Sequence, residues 1–179
     1  MYKGYQMKKA AFYITTIGLG LLCIQTANAA TATGTLTVKA TVTTSCAVNT
    51  SATGVVSNAV LDFGTVSSFT SNVDSDTTAT SGTAIKVLCN NGTTYSLAFD
   101  GGKNVSSSQR RMTGGSTEYI PYNLYSDSTR ATAIAVNGTI AGTGTGAAQT
   151  INVYGRIPAG TTLPSASSYV DTVTLTVTY

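Results

Sequence analysis

Hydrophobic and polar residues alternate with a period of two at both ends of the chain beyond residue 30, which is the pattern of a strand with one buried face. At the C-terminus, residues 170–179 predict one long strand. Its apolar face carries Val173, Leu175, Val177 and Tyr179. Near the N-terminus, residues 31–42 predict a second strand with the same alternation, which either belongs to the domain of its own chain or is offered to another chain. One of its faces carries Ala32, Gly34, Leu36, Val38 and Ala40.

Short segments rich in Thr, Val and aromatic residues lie between these two stretches, and turn residues such as Asn137-Gly138 separate them. The predicted strands are 61–64, 85–89, 95–100, 119–126, 133–137 and 150–157. The glycine-rich stretch 141–148 predicts a flexible loop. No stretch has the apolar spacing of an amphipathic helix. The sequence therefore predicts an all-β protein that folds as a single antiparallel β-sandwich.

The first 29 residues have the organisation of a secretory signal peptide. Lys8-Lys9 forms a basic start, residues 10–24 are uncharged and mainly apolar, and Ala27-Asn28-Ala29 matches a cleavage site. The apolar stretch is shorter than the roughly 20 residues that cross a bilayer. We therefore expect residues 1–29 to be removed on export, and Cys23 with them.

Export leaves two cysteines, Cys46 and Cys89, in an oxidising compartment. An even pair in an exported chain predicts one disulfide. A catalytic thiol or a metal site is disfavoured, because the chain contains no His to activate a thiolate or to complete a set of ligands. We expect neither a metal ion nor a cofactor.

Charge and residue types narrow the class of function further. Removal of residues 1–29 leaves 7 basic and 7 acidic residues, so the net charge is zero. A neutral surface does not attract phosphates over long distances, which disfavours nucleic acid as a partner. The lack of His and the scattered carboxylates disfavour an enzyme.

Three short groups of polar or aromatic residues each have a specific interpretation and a simpler one. Asp74-x-Asp76 is an incomplete calcium loop, and we interpret it as a solvated loop. Arg110-Arg111 predicts a surface loop, with a salt contact between subunits as the alternative. Tyr119, Tyr122 and Tyr125 form either part of the core or an aromatic cluster for sugar, and the core is favoured.

Several segments, taken in order with the cysteine pair and the aromatic C-terminus, resemble a known family. They are LDFG at 61–64, VLC at 87–89, YNLYSD at 122–127, VYGRIP at 153–158 and YVDTV at 169–173. This order is similar to the spore coat protein U-like domain, which forms the subunits of archaic chaperone–usher pili, including the major pilin of the Csu pilus. The run from Gly34 to Val42 resembles the N-terminal donor segment of chaperone–usher pilins. The resemblance covers residues 30–179.

The resemblance implies an incomplete immunoglobulin-like sandwich that lacks its last strand and exposes its core as a groove. It divides the chain into a signal peptide at 1–29, a donor segment at 30–44 and a pilin domain at 45–179. The donor residues Ala32, Gly34, Leu36, Val38 and Ala40 would complete the neighbouring subunit. The strand at the edge of the groove, which a chaperone also contacts, would carry Val173, Leu175, Val177 and Tyr179.

The implied partners are identical subunits, a periplasmic pilus chaperone, an outer-membrane usher, and tip adhesin or adaptor subunits. The implied role is a structural subunit of a cell-surface fimbrium that supports adhesion and biofilm formation. A main shaft subunit is favoured over an adaptor, because one domain carries both a donor and a groove. The alternatives are a secreted sugar-binding sandwich or a pilus-tip adhesin, and an enzyme is the least favoured class.

Overall fold

The computed structural model describes residues 30–49, 58–115, 117–165 and 167–179, and the predicted signal peptide lies outside them. The chain divides into two units, Met1–Ala40 and Thr41–Tyr179. In the first unit, the described residues 30–40 form neither strand nor helix, and all of them are exposed. The described part of the second unit contains the strands β1 (Cys46–Val48), β2 (Val73–Asp76), β3 (Ile85–Cys89), β4 (Thr94–Phe99), β5 (Arg110–Thr113), β6 (Tyr119–Tyr125), β7 (Thr139–Thr143), β8 (Ala148–Ile151), β9 (Tyr154–Ile157) and β10 (Leu175–Thr178).

Every ladder between these strands is antiparallel. The strands form three sheets, in the orders β1-β3-β8, β10-β4-β7 and β2-β9-β6-β5. The described ranges contain no helix. The prediction of an all-β antiparallel fold is therefore confirmed.

The core is built from the inward faces of the central strands. Every second residue is buried along three of them: Ile85, Val87 and Cys89 in β3, Tyr95, Leu97 and Phe99 in β4, and Ile120, Tyr122 and Leu124 in β6. Each buried apolar side chain of this kind contributes about 1.5–3 kcal/mol. The alternation seen in the sequence is thus the alternation between core and surface.

A disulfide joins Cys46 of β1 to Cys89 of β3, as predicted. The two residues are also directly opposite each other in the β1–β3 ladder. The bond closes a loop with a sequence separation of 43, and it attaches the first strand to the core. In a domain of this size, such a cross-link limits the freedom of the unfolded chain.

The predicted flexible loop at 141–148 is wrong for half of its length, and only residues 144–147 lie outside strands. β7 continues to Thr143, and β8 begins at Ala148. A Cβ atom on Gly142 would lie 2.4 Å from the buried ring of Tyr95, and one on Gly144 would lie 2.3 Å from the carbonyl of Asn90. These glycines allow close packing rather than mobility.

Two predicted strands are absent from the described residues as regular strands. Residues 61–64 form none, and residues 133–137 contain only an isolated bridge between Ala133 and Tyr125. In the second case, Gly138 closes a turn on Ala135. The carbonyls of Ile134 and Ala135 accept hydrogen bonds from an arginine rather than from a strand.

The predicted strand at 150–157 is two strands, because β8 pairs with β3 whereas β9 pairs with β2 and β6. The chain changes sheets between Ile151 and Tyr154. The predicted long strand at 170–179 is also shorter, since the ladder to β4 covers Leu175–Thr178. Before it, Val170 exchanges two backbone hydrogen bonds with Thr113, and the Asp100 carboxylate accepts the backbone nitrogen of Thr174.

Candidate functional site

β10 stands at the edge of its sheet, beside the core. It pairs with β4 through Leu175 to Thr178, and no strand among the described residues pairs with its other side. β1 stands at the end of the order β1-β3-β8, and it approaches β10 to within 8 Å between Cα atoms without forming a ladder to it. The sandwich thus has two neighbouring strands, β1 and β10, that no hydrogen-bonded strand connects.

The apolar face of the C-terminal segment has the predicted alternation. Val173, Leu175 and Val177 are half-buried and pack against the core, whereas the threonines between them are exposed. Tyr179 follows the end of β10 and is 58% exposed. It lines a shallow hollow of about 310 Å³ together with Thr94, Tyr95, Ser96 and Thr178.

The charge along β10 differs from that of two other edge strands. Its sequence, LTVT, contains no charged residue and no proline. β2 carries two aspartates, and β5 begins with two arginines. Charges on an edge strand discourage pairing with a further strand, and an uncharged apolar edge permits it. β10 therefore suits an added strand better than β2 or β5 does, and the edge strands β1, β7 and β8 are likewise uncharged.

Two aspartates hold the chain just before β10. The Asp100 carboxylate accepts hydrogen bonds from the backbone nitrogens of Thr174 and Gly102, both at 2.8 Å. Partial burial raises the pKa of Asp100, but the hydrogen bonds from Thr174 and Gly102 lower it by more, so the pKa lies below its ordinary value. Asp171 accepts the hydroxyl of Tyr122 at 2.7 Å.

Asp171 also fixes the turn that follows β4. Its carboxylate accepts the backbone nitrogen of Lys103 at 2.9 Å and the side-chain amide of Asn104 at 3.2 Å. The residue at 102 is a glycine with φ of +77°, and a Cβ atom there would lie 2.0 Å from a carboxylate oxygen of Asp171. Only glycine allows this approach.

Arg110 is buried, so the predicted surface loop at Arg110-Arg111 is wrong. The side chain of Arg110 is on the core side of β5, and 3% of the residue is exposed. Its guanidinium donates to four backbone carbonyls, those of Phe99, Asp100, Ile134 and Ala135, at 2.6–3.0 Å. Sequence reasoning missed this residue, because a pair of arginines is usually solvated.

Burial changes the titration of two groups in this region. It lowers the pKa of Arg110, against the opposing effect of Tyr122, Asp100 and Asp171. It also raises the pKa of Tyr122 well above the ordinary tyrosine value, and the hydrogen bond to Asp171 adds to that shift. Tyr122 therefore remains a neutral donor to Asp171 at any physiological pH.

The predicted donor residues lie in a segment without regular structure. Residues 30–45 form no strand, and all are exposed, with Leu36 at 89%, Val38 at 84% and Val42 at 81%. No atom lies within 4 Å of a Cβ atom built on Gly34. The donor role of Ala32, Gly34, Leu36, Val38 and Ala40 stays a prediction.

The three tyrosines of β6 do not form one cluster. Tyr122 is buried in the core, as favoured from the sequence, whereas Tyr119 is on the opposite face and is 38% exposed. The guanidinium of Arg111 lies 4.1 Å from the ring centroid of Tyr119. Tyr125 shares the face of Tyr119 but lies six residues away, and Tyr122 faces the core, so the three rings do not form one aromatic surface.

The predicted solvated loop at Asp74-x-Asp76 is also wrong, because both aspartates belong to β2. Asp74 forms a bidentate pair with Arg156 at 2.7 and 2.8 Å, and it lies 3.4 Å from Arg130. In the part of the chain that the structure describes, no three Cys, Asp or Glu side chains come together as metal ligands. The same residues include no helix long and apolar enough to span a membrane.

These features define an all-β, immunoglobulin-like antiparallel sandwich with an uncharged strand edge beside its core. The chain belongs to the spore coat protein U domain family, whose profile matches residues 32–176. It is 31% identical over 183 residues to Protein U of Myxococcus xanthus, with 96% of this chain and 98% of that protein aligned. The resemblance seen in the sequence is thereby confirmed at the level of the family.

A solved structure has a similar fold. It is the CsuC–CsuE chaperone–tip adhesion subunit pre-assembly complex from archaic chaperone–usher Csu pili of Acinetobacter baumannii. The TM-score is 0.52 at 20% identity, over 78% of this chain. The chain spans 40% of the length of the chain it matches there. The likeness supports the immunoglobulin-like sandwich.

Proposed function

We propose that the protein is a structural subunit of a chaperone–usher surface pilus and that it polymerises by exchange of a donor strand. In this proposal residues 1–29 are a signal peptide, residues 30–44 are the donor segment, and residues 45–179 are the pilin domain. One observation carries the proposal. The uncharged edge of β10 lies beside the core, and the same chain holds an exposed segment with the apolar alternation of a strand.

The donor segment is long enough to cover the whole of β10. At about 3.3 Å per residue, the eleven residues from Ala32 to Val42 extend over about 36 Å as a strand, which exceeds the length of β10. Leu36 and Val38 would cover the core beside Val173, Leu175 and Val177. A strand between β1 and β10 needs two ladder spacings, about 9.5 Å, so insertion must move these two strands apart.

The geometry of such an exchange determines the assembly. Each copy donates at one place and accepts at another, and this heterologous contact does not close into a ring, so filaments of identical subunits form. A periplasmic chaperone covers the edge before assembly, and an outer-membrane usher exchanges it for the next subunit. Tip adhesin or adaptor subunits complete the fibre. The similar Csu structure is a complex of a chaperone with a tip subunit, which supports a chaperone as a partner.

A subunit with both a donor and an acceptor suits the shaft of the pilus, which we propose as its place. The filament would be exported to the cell surface as a fimbrium and would support adhesion and biofilm formation. No specific observation favours the alternative of a secreted sugar-binding module.

The test is deletion of residues 30–40 in a cell that supplies the matching chaperone and usher. The truncated subunit should still co-purify with the chaperone, and electron microscopy should find no long fibres. A finer pair of variants uses the two faces of the segment. Leu36→Asp should prevent polymerisation, and Thr37→Asp, on the other face, should permit it. Long fibres from the truncated chain would contradict the proposal.

A further inference from the structure

An edge strand has ladder hydrogen bonds on one side only, so something else must hold it in place until a second neighbour arrives. The ladder of β10 begins at Leu175, and the residues just before it contact side chains. Asp100 and Asp171 make these contacts through their carboxylates. The hydroxyl of Tyr122 donates to the Asp171 carboxylate, and Arg110 donates to the backbone carbonyl of Asp100. We call Asp100, Arg110, Tyr122 and Asp171 the β10 clamp.

We infer that the β10 clamp is the positioning element of the acceptor edge: it fixes β10 in the orientation that accepts a strand from a second copy of the chain. The identity of the strand that β10 accepts rests on the proposed function. The fixing of β10 itself depends only on the contacts of the clamp and is tested separately.

The first half of the clamp acts through the backbone of β4. Among the described residues no carboxylate forms an ion pair with Arg110, and its guanidinium is occupied by four carbonyls. Two of these carbonyls, on Phe99 and Asp100, end the strand with which β10 pairs. From that fixed position, Asp100 binds Thr174 twice, through its carboxylate at 2.8 Å and its backbone nitrogen at 3.1 Å.

A guanidinium suits this position because of its shape. It presents five donors in a rigid plane, whereas an ammonium group would satisfy fewer carbonyls in fewer directions. The four carbonyls come from the end of β4 and from residues 134 and 135. Arg110 therefore joins two segments that share no ladder at this point.

The second half of the clamp ties β10 to the other side of the sandwich. Tyr122 belongs to β6, in a different sheet from β10, and its hydroxyl reaches Asp171. Hydrogen bonds to a charged acceptor are stronger than neutral ones. Asp171 thus fixes the start of the C-terminal segment to a buried side chain, and Asp100 fixes Thr174 to β4.

The experiment is site-resolved hydrogen exchange on the purified full chain. Tyr122→Phe removes only the hydroxyl that reaches Asp171 and keeps the ring in the core. The matched control is Tyr125→Phe in the same strand, whose side chain is on the opposite face from Tyr122 and is not buried in the core. We expect Tyr122→Phe to speed exchange at residues 171–178 by roughly tenfold to a hundredfold, because a bond to a charged acceptor is lost. β3 and β9 should exchange as in the wild type.

The functional readout is binding of a synthetic peptide of residues 30–42 to the same variants. Tyr122→Phe should weaken binding roughly tenfold or more, and Tyr125→Phe should not. Equal exchange in both variants, faster exchange throughout the chain, or unchanged peptide affinity would each overturn the inference. Failure of the peptide to bind the wild-type chain would contradict the proposed function instead, and the exchange data would still decide whether the clamp fixes β10.

Discussion

The two ends of the described chain have the same alternation of apolar and polar residues, but only the C-terminal end forms a strand in the structure. At the C-terminus, Leu175 and Val177 belong to β10 and pack against the core. At the N-terminus, Leu36 and Val38 are 89% and 84% exposed, in a segment that forms no strand. A period of two shows that a segment suits a sheet, but it does not show which chain supplies the neighbouring strand.

The C-terminal segment has partners within its own chain, although they are distant in sequence. Asp100 and Asp171 hold its start, and β4 pairs with its second half. The N-terminal segment holds small residues at Ala32, Gly34 and Ala40, which gain little from burial against its own chain. Our proposal uses this difference, because a segment with little reason to fold alone remains available to another copy.

The largest expected effect is that of removing the disulfide, which should destabilise the folded domain and leave residues 30–40 unchanged. Replacement of Cys46 and Cys89 by Ala should lower the free energy of unfolding by about 2–5 kcal/mol, because the unfolded chain gains freedom. Denaturant unfolding measures this loss, and reduction of the wild type is the control that should match it. Hydrogen exchange in residues 30–40 should not change. Protection in that segment that disappears with the disulfide would show that the two regions fold together.

A smaller effect comes from the same substitution in each region. Leu175→Asp should lower the free energy of unfolding by about 2–3 kcal/mol, because it places a carboxylate against the core. Leu36→Asp should change it by less than about 0.5 kcal/mol, as at other exposed positions. Thermal or denaturant unfolding of the unpolymerised chain measures both, and Thr176→Asp, on the exposed face of β10, is the control. Equal losses from Leu175→Asp and Leu36→Asp would contradict the comparison.

The smallest expected effect is a loss of stability at acid pH, which residues 41–179 should have and residues 30–40 should not. The pKa of Asp74 is lowered, first by its hydrogen bond to Arg156, and the pKa of Asp100 is lowered by Thr174 and Gly102 against partial burial. A carboxyl whose pKa is lower in the fold stabilises it above the unfolded pKa, near 4, and this contribution is lost as the pH falls through the folded value.

Unfolding measured from pH 8 to pH 2 tests this dependence. The free energy of unfolding should be nearly constant between about pH 5 and pH 7, because the chain contains no His, and it should decline below about pH 4. Residues 30–40 contain no Asp or Glu, so their exchange, corrected for the intrinsic rate, should not follow this decline. An Asp74→Asn variant should have a shallower decline, and one as steep as that of the wild type would exclude Asp74 as a cause.

Much of the fold could be predicted from the sequence, because its main signals are local. Strand β3 at Ile85–Cys89 has the predicted bounds, β4 is displaced by one residue at both ends, and β6 is one residue shorter at its C-terminal end. In each, alternate residues face the core, and a period of two is visible without knowledge of the neighbours. The pairing of Cys46 with Cys89 followed from a count of two cysteines in an exported chain.

The positions that the sequence left undecided depend on residues that are distant along the chain. Arg110 is buried because carbonyls 10 to 25 residues away surround its guanidinium. Gly142 is packed because the ring of Tyr95 occupies the place of its missing side chain. No local pattern distinguishes these from a solvated arginine and a flexible glycine.

The sequence by itself determined the all-β class, the alternation of the core strands, the disulfide and the family of this protein. Only the tertiary structure decided where the strands end, that β10 is an edge strand beside the core, and which side chains contact the residues before it. The physical reason is the range of the interactions. Side-chain direction repeats within a strand, whereas the partners of β10 and Arg110 come from segments that the fold brings together.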